Sequence, residues 1–236
     1  MTIFTGDFVR ENLMGPNVLL MFDELCRDSL PIEPDARICD LGCGTGLSTL
    51  AAAAYCPGRL YGIDSWNTPE QNRERFDLFD FGSRIEAIQA NAPHIPFPKH
   101  YFDALFCLDS YNYFGREEGV IDALARYVKP YGCILLSFPG LVRELDDDMM
   151  HIFSASWTPE QMDYIRTINW WRKLFEKSPA VTVDKICAMQ CYKQAWADWL
   201  ACENEYARSD RAAIEAGALE LMNMIQVKLS VRPSRE

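Results

Sequence analysis

Three glycines, Gly42, Gly44 and Gly46, alternate through the stretch "ICDLGCGTG" (Ile38 to Gly46), directly behind an apolar run, and Asp40 stands just ahead of them. Glycines at that density remove side chains from a turn, so the backbone can pass close to a ligand. A second acidic residue, Asp64, ends the run "RLYGID". A carboxylate at such a strand end can accept the two hydrogen bonds that a ribose diol offers. The glycine spacing is G-x-G-x-G, with Leu47 where a dinucleotide-binding turn would carry its last glycine. A pyrophosphate needs helix-terminal amides and room for two phosphates. The tighter turn suits a ligand without a phosphate bridge, and the missing glycine argues against a nicotinamide oxidoreductase.

The elements around these residues must bring them to one place. Apolar spacing predicts a helix over Asn17 to Asp28, and β-rich runs predict strands over Arg37 to Leu41, "RLYGID", "RIEAIQAN", "FDALFCLDS" and "CILLSFPG". Between them, "LSTLAAAAYC", Pro69 to Phe81 and "GREEGVIDALARYV" have helical character, and the three prolines of "APHIPFPKHY" mark a loop. "KPYG" is expected to form a turn. This alternation predicts βαβ units and a mostly parallel sheet covered on both faces. Ligands of such sheets sit outside the carboxyl ends of the strands, where Gly42 to Gly46, Asp64, Asn91 and Asp109 all fall.

After Gly140 the rhythm changes. "RELDDDMMHIFSASW" is acidic and reads as irregular. A helix is expected from Thr158, with Pro159 at its first position, through "TPEQMDYIRTINWWRKLFEKS". A strand ("VTVDKICAMQ"), a helical stretch ("YKQAWADWLACENEYA"), a helix from Asp210 and a last strand near "NMIQVKLSV" complete the chain.

The order and spacing of "DLGCGTG", "YGID", "QANAPHIPF", "FDALFCLDSYNYF" and "YVKPYGCILLS" resemble the class I S-adenosylmethionine-dependent methyltransferases. The likeness covers roughly Pro34 to Gly140. The ends of the chain resemble bacterial small-molecule members of the cyclopropane-synthase-like or ubiquinone-biosynthesis-like type. The resemblance implies a Rossmann-like α/β fold, with a seven-stranded mostly parallel sheet, an N-terminal lid helix and helical insertions in the last third. It also implies one domain over residues 1–236, with a lid region (1–33), a cofactor-binding core (34–140) and an acceptor-pocket region (141–236).

Carried onto this sequence, the resemblance gives Asp40 the task of orienting the glycine loop and, directly or through water, the methionine amino group of S-adenosyl-L-methionine. Gly42, Cys43, Gly44 and Gly46 form the turn beneath the methionine and ribose, and Asp64 takes the ribose hydroxyls. Ser65 or Trp66 flanks the adenine. Asn91 and Ala92 stand where the family usually has an acidic residue followed by a small one. The asparagine is a departure, although its carbonyl can still accept from the adenine amino group. Asp109 lines the floor beside the reactive methyl, and Asn12 to Asn17 ("NLMGPN") contribute to the lid.

Methyl transfer is an in-line displacement, so an acceptor must be held behind the methyl, and a hydroxyl, amine or thiol must also lose a proton. Asp109, Tyr111 and Tyr113 after the fourth strand, and His151 in the acidic segment, are the candidates for that side. Trp170 and Trp171 read as core. Trp196 and Trp199, three apart on one helical face, either pack on the sheet or cap the acceptor. Aromatics beside carboxylates would suit a cationic amine.

The 236 residues carry a net charge of −11, with 49% hydrophobic and 24% charged residues. That balance supports a full core and disfavours nucleic acid, which needs a basic patch; the only basic stretch is the short tail "KLSVRPSRE". A small-molecule acceptor is therefore expected. RNA or protein methylation, and a cofactor-binding regulatory protein without turnover, stand as alternatives. Nine cysteines, several in core strands, together with a start that lacks a basic leader and apolar run, lead to the expectation of a reducing cytoplasm. No stretch has the length of a membrane span. Cys187 and Cys191 lack a nearby histidine or second pair, so no metal is expected. The oligomeric state is not readable from the sequence.

Overall fold

The computed structural model describes residues 3–233; the last part of the basic tail, residues 234–236, lies outside them. Strands β1 (Arg37–Leu41), β2 (Arg59–Asp64), β3 (Ile85–Gln89), β4 (Phe102–Leu108), β5 (Val128–Leu141), β6 (Arg166–Thr167), β7 (Val181–Ala188) and β8 (Met222–Val231) form one sheet. Its order is β3-β2-β1-β4-β5-β8-β7, with the two-residue β6 attached to β5. The seven expected strands are all present, and β6 is an eighth. Strands β1 to β5 pair in parallel, whereas β8 runs antiparallel to both β5 and β7.

The strands are buried on both faces, as a parallel sheet covered by helices requires. Successive side chains alternate between two apolar clusters. On β4, Ala104, Phe106 and Leu108 face one cluster with the N-terminal segment, while Leu105 and Cys107 face the other with Tyr111, Phe138 and Trp171. β1 and β4 are neighbours, yet the chain leaves them toward opposite ends of the strand order. That is the topological switch at which a crevice opens above the sheet.

The helices differ from the sequence reading in specific places. Val18–Met21 is α-helical and continues as a π-helical turn over Phe22–Cys26, inside the expected span. The helix after β2 ends at Phe76 rather than Phe81. Strand β3 is shorter than "RIEAIQAN". The stretch expected to be helical from Gly115 is helical only over Val120–Ala125, behind Gly119 at φ +88°, with a short turn at Tyr111–Phe114. "KPYG" lies within β5, where Tyr131 at φ +66° and a register shift between Phe102 and Ala104 absorb the bend.

The acidic segment is ordered, not irregular: Asp146 accepts from the Met149 N–H and caps a helix over Asp147–Phe153. The long helix expected from Thr158 is broken. Its capping box with Gln161 forms, but the helix covers only Pro159–Met162. Arg166 and Thr167 pair with Gly140 and Leu141 of β5, and Thr167 then caps a second helix, Ile168–Glu176. The "YKQAWADWLACENEYA" stretch divides into Tyr192–Leu200 and a helix over Glu205–Glu215, whose cap is Asn204; that helix does not begin at Asp210.

Candidate active site

The glycine turn is fixed from below. The N–H groups of Gly42 and Cys43 both donate to the Ile63 carbonyl, at 2.7 and 3.1 Å, folding the turn back over β2. Gly42 and Gly44 sit at φ +72° and +55°. A Cβ at Gly42 would stand 2.2 Å from Ser110 Oγ, and one at Gly44 would stand 2.8 Å from Met14 Sδ. Conformation therefore demands glycine at both positions, and space demands it at Gly42 as well. Gly46 caps the following helix, Leu47–Tyr55, and lies against Phe76 rather than in the crevice.

Asp40 is fully buried behind the turn. Its Oδ2 accepts from Ser48 Oγ and Thr49 Oγ1, each at 2.6 Å, tying β1 to the first turn of the helix Leu47–Tyr55. Its Oδ1 has no partner. Burial pushes the carboxyl up to about 7; the two hydroxyls oppose the rise and the charge of Asp64 adds to it. Asp40 does not line the crevice itself. In the structure it organises the turn, and any effect on a ligand would pass through that turn.

Asp64 lines the crevice. Its Oδ2 accepts from the Gly44 N–H at 2.9 Å, and its Oδ1 accepts from the N–H groups of Trp66 and Asn67 at 2.8 Å each. These bonds hold both oxygens in place at the rim while a carboxylate retains further lone pairs for a ligand. The crevice has a volume of about 350 Å³, and its wall also includes Cys43, Ser65, Trp66, Asn91, Ala92 and Asp109. Trp66 is 81% exposed at the mouth.

The N-terminal segment closes the other side. Thr45 Oγ1 donates to the Asn12 carbonyl at 2.5 Å, and Met14 lies over Gly44. Asn17 then anchors the segment to the helix Tyr192–Leu200: its N–H donates to the Ala195 carbonyl at 2.9 Å and its Nδ2 to Asp198 Oδ2 at 2.7 Å.

Asp109 follows β4 at φ +59°, a left-handed conformation uncommon outside glycine. Its N–H is fixed by the Ser137 carbonyl at 2.7 Å. Burial, and then the charge of Asp210, push its carboxyl up to about 8. Backbone strain of this kind concentrates at functional sites.

The remaining candidates separate. Tyr111 is fully buried against Phe114, Phe138, Trp171 and Phe175, its hydroxyl has no partner, and it does not line the crevice. The turn after Asp109 directs it into the core beneath the opposite face, which corrects its assignment to the acceptor side. Tyr113, two residues on, lines the crevice and meets Tyr164 edge to face. His151 is exposed in the last turn of the helix Asp147–Phe153 and stands apart from the crevice, so the base role considered for it is also corrected. Trp171 is core, as expected, and half-buried Trp170 packs beside it. Trp196 and Trp199 are both buried.

Sequence reasoning passed over Asp210. Its Oδ1 accepts from Trp157 Nε1 and its Oδ2 from Trp199 Nε1, each at 2.8 Å, and it is close enough to raise both Asp109 and Tyr113. Burial raises Asp210 itself, against the pull of the two indoles. The available signal was the pair of tryptophans: a buried indole N–H seeks an acceptor.

Among the described residues no group of histidine, cysteine or acidic side chains is placed to hold a metal, all nine cysteines are free, and no helix is long and apolar enough to cross a membrane.

Known proteins resemble this chain in sequence and in fold. A family model described as a methyltransferase domain matches residues 39–136. The 27-O-demethylrifamycin SV methyltransferase of Amycolatopsis mediterranei (strain S699) is 29% identical over 108 residues, which is 45% of this chain and 40% of that protein. The ubiquinone/menaquinone biosynthesis C-methyltransferase UbiE of Vibrio cholerae serotype O1 is 28% identical over 134 residues, 54% of this chain and 50% of that protein. The chain thus spans half or less of the length of these curated relatives. Among solved structures, the [4+2]-cyclase SpnF superposes with a TM-score of 0.71 at 15% identity, covering 92% of this chain and 82% of that one, a likeness of fold. The cofactor of the matching family is S-adenosyl-L-methionine, and a bare turn whose Cβ positions are already filled by neighbours, beside a rim carboxylate and a covering segment, fits an adenosyl compound. Over residues 39–136 the chain carries a methyltransferase domain of the S-adenosylmethionine-dependent kind.

Proposed function

We propose that the protein moves a methyl group from S-adenosyl-L-methionine to a small-molecule acceptor. The observation that carries this reading is the convergence of the glycine turn, Asp64, Asn91 with Ala92, and Asp109 on one crevice of about 350 Å³ under the segment Asn12 to Asn17. When bound, the cofactor supplies a methyl group already activated by its sulfonium. Everything else is asked of the chain's own residues. Asp64 accepts from the ribose hydroxyls, Asn91 accepts from the adenine amino group, and Trp66 covers the adenine from the mouth. Asn12 to Asn17 exclude water, which strengthens each polar contact inside. Asp109 and Tyr113 face the place where an acceptor would stand, and holding it in line there supplies much of the rate effect.

In this reading residues 1–236 act as one domain, with 1–33 as lid region, 34–140 as cofactor core, and 141–236 as the acceptor side. The net charge of −11 weighs against RNA as acceptor. A second reading, a cofactor-binding protein without methyl turnover, is favoured by one observation: a protein described as a [4+2]-cyclase has this fold, and a fold does not fix a reaction. Incubation with methyl-labelled cofactor and a library of amines, thiols, phenols and carboxylates separates them. Label in a small product supports transfer. A silent library with intact cofactor binding supports the second reading.

A further inference from the structure

The charge of the crevice is one-sided. Among the described residues that line it, Asp64 and Asp109 are acidic and none is lysine, arginine or histidine. Asp64 is engaged by three backbone N–H groups. Asp109 is different: no described residue donates a hydrogen bond to its carboxylate or forms an ion pair with it, while its backbone is held in a left-handed conformation. Asp210, whose charge reaches Asp109, is held by Trp157 and Trp199, one indole on each oxygen. Two carboxylates held near one another in a partly dehydrated place repel, and a cation beside them relieves the repulsion. Tyr113 adds an aromatic surface at the same end, of the kind that attracts ammonium groups.

Building on the proposed methyl transfer, we infer that the acceptor is an amine that enters as its ammonium ion, selected by Asp109 in the crevice wall with the nearby charge of Asp210 in support. An anionic acceptor would meet acidic side chains and no lysine, arginine or histidine in the crevice wall. The ammonium gives one proton to the Asp109 carboxylate. Its freed lone pair forms the new nitrogen–carbon bond to the methyl, and the electron pair of the breaking sulfur–carbon bond returns to sulfur and cancels its charge. The positive charge then resides on the N-methylammonium product, still beside both carboxylates, and the proton on Asp109 passes to water. Burial, and then the charge of Asp210, raise Asp109 to about 8, and the ammonium beside it favours the carboxylate form that receives the proton.

The test uses the protein saturated with S-adenosylhomocysteine, whose sulfur is uncharged, so that any preference for a cation belongs to the acceptor. Three matched probes, 2-phenylethylamine, 2-phenylethanol and phenylacetate, are titrated by calorimetry. The amine is expected to bind at least tenfold tighter than the alcohol, with phenylacetate weaker still. Asp210→Asn, which keeps an acceptor for one indole, is expected to shrink the amine preference at least tenfold while the homocysteine complex retains its affinity within about twofold. Equal binding of amine and alcohol, tighter binding of phenylacetate, absence of amine binding, or a loss in Asp210→Asn confined to the cofactor would each overturn the inference. Failure of S-adenosylhomocysteine itself to bind would instead overturn the proposed function, and is read separately before the probes are added. Thermal melting of Asp210→Asn distinguishes unfolding from lost selectivity.

Discussion

Gly15 packs directly against Asp109 in the crevice wall: a Cβ built on Gly15 would stand 2.2 Å from Asp109 Oδ2. The covering segment therefore reaches its position only because residue 15 lacks a side chain, and the contact couples the lid to the strained residue after β4. Gly15 is not among the residues at positive φ, so the constraint is one of space alone. Gly15→Ala should displace the segment at a cost of about 1–3 kcal/mol, the usual penalty of overpacking. Calorimetry should show S-adenosylhomocysteine binding weakened about tenfold, with the melting temperature lowered by about 2–4 °C for each kcal/mol of that cost. Replacing Asp109 by alanine in the same chain should recover part of that loss, and strictly additive losses would break the link between the two residues.

Tyr111 offers the opposite expectation. Its buried hydroxyl has no partner, so removing it sheds an unsatisfied polar group. Tyr111→Phe should leave cofactor affinity and methyl transfer within about twofold of wild type and raise stability by about 1 kcal/mol, read from denaturant melts. A large fall in transfer rate with stability intact would return the tyrosine to the reacting centre.

Asp40 gives a stability prediction with a definite sign. Its carboxyl is raised to about 7 in the folded protein by burial, and in the unfolded chain it titrates near the ordinary 3.8. Between those values the folded state keeps a proton that the unfolded state has lost, so the stability contributed at low pH is lost as pH rises through about 7. Asp40→Asn removes this dependence, since its carbonyl can still accept from Ser48 and Thr49. The melting temperature of the variant should therefore improve relative to wild type between pH 4.5 and pH 7.5. A constant difference across that range would mean that Asp40 is already ionised in the fold.

Cofactor charge should be read by Asp109. With its carboxyl raised to about 8, a sulfonium must displace a proton to pair with it at lower pH. The affinity for S-adenosylmethionine, taken relative to uncharged S-adenosylhomocysteine, should climb as pH rises from 6 to about 8 and then level off. Asp109→Asn should flatten the ratio. A flat ratio in wild type would place the sulfonium away from Asp109.

The strands and the crevice were legible in the sequence because their signals are local. Apolar runs closed by glycine, aspartate or proline mark strand ends, and in a parallel sheet strand ends are where ligands gather, so Gly42, Asp64, Asn91 and Asp109 could be grouped from the chain alone. The last third was less legible, since its helices are set by tertiary contacts. Arg166 and Thr167 leave a strongly helical run to pair with β5, and no local propensity announces that pairing. Direction of a side chain beyond a strand was equally hidden. Tyr111 and Tyr113 looked equivalent, yet the short turn after Asp109 sends one into the core and the other into the crevice. Asp210 was missed because its role depends on two indoles that are distant in the chain from Asp109.

The central claim is that the bare turn and Asp64 together hold an adenosyl cofactor, and direct titration of the purified chain with S-adenosylmethionine tests it. Wild type should bind one equivalent. Asp64→Ala, which removes an acceptor pair from the ribose and a brace from the Gly44 N–H, should weaken binding by about 10- to 100-fold, the worth of one or two charge-assisted hydrogen bonds. Heat-silent wild type, or an Asp64→Ala variant that remains folded and binds as tightly as wild type, would contradict it.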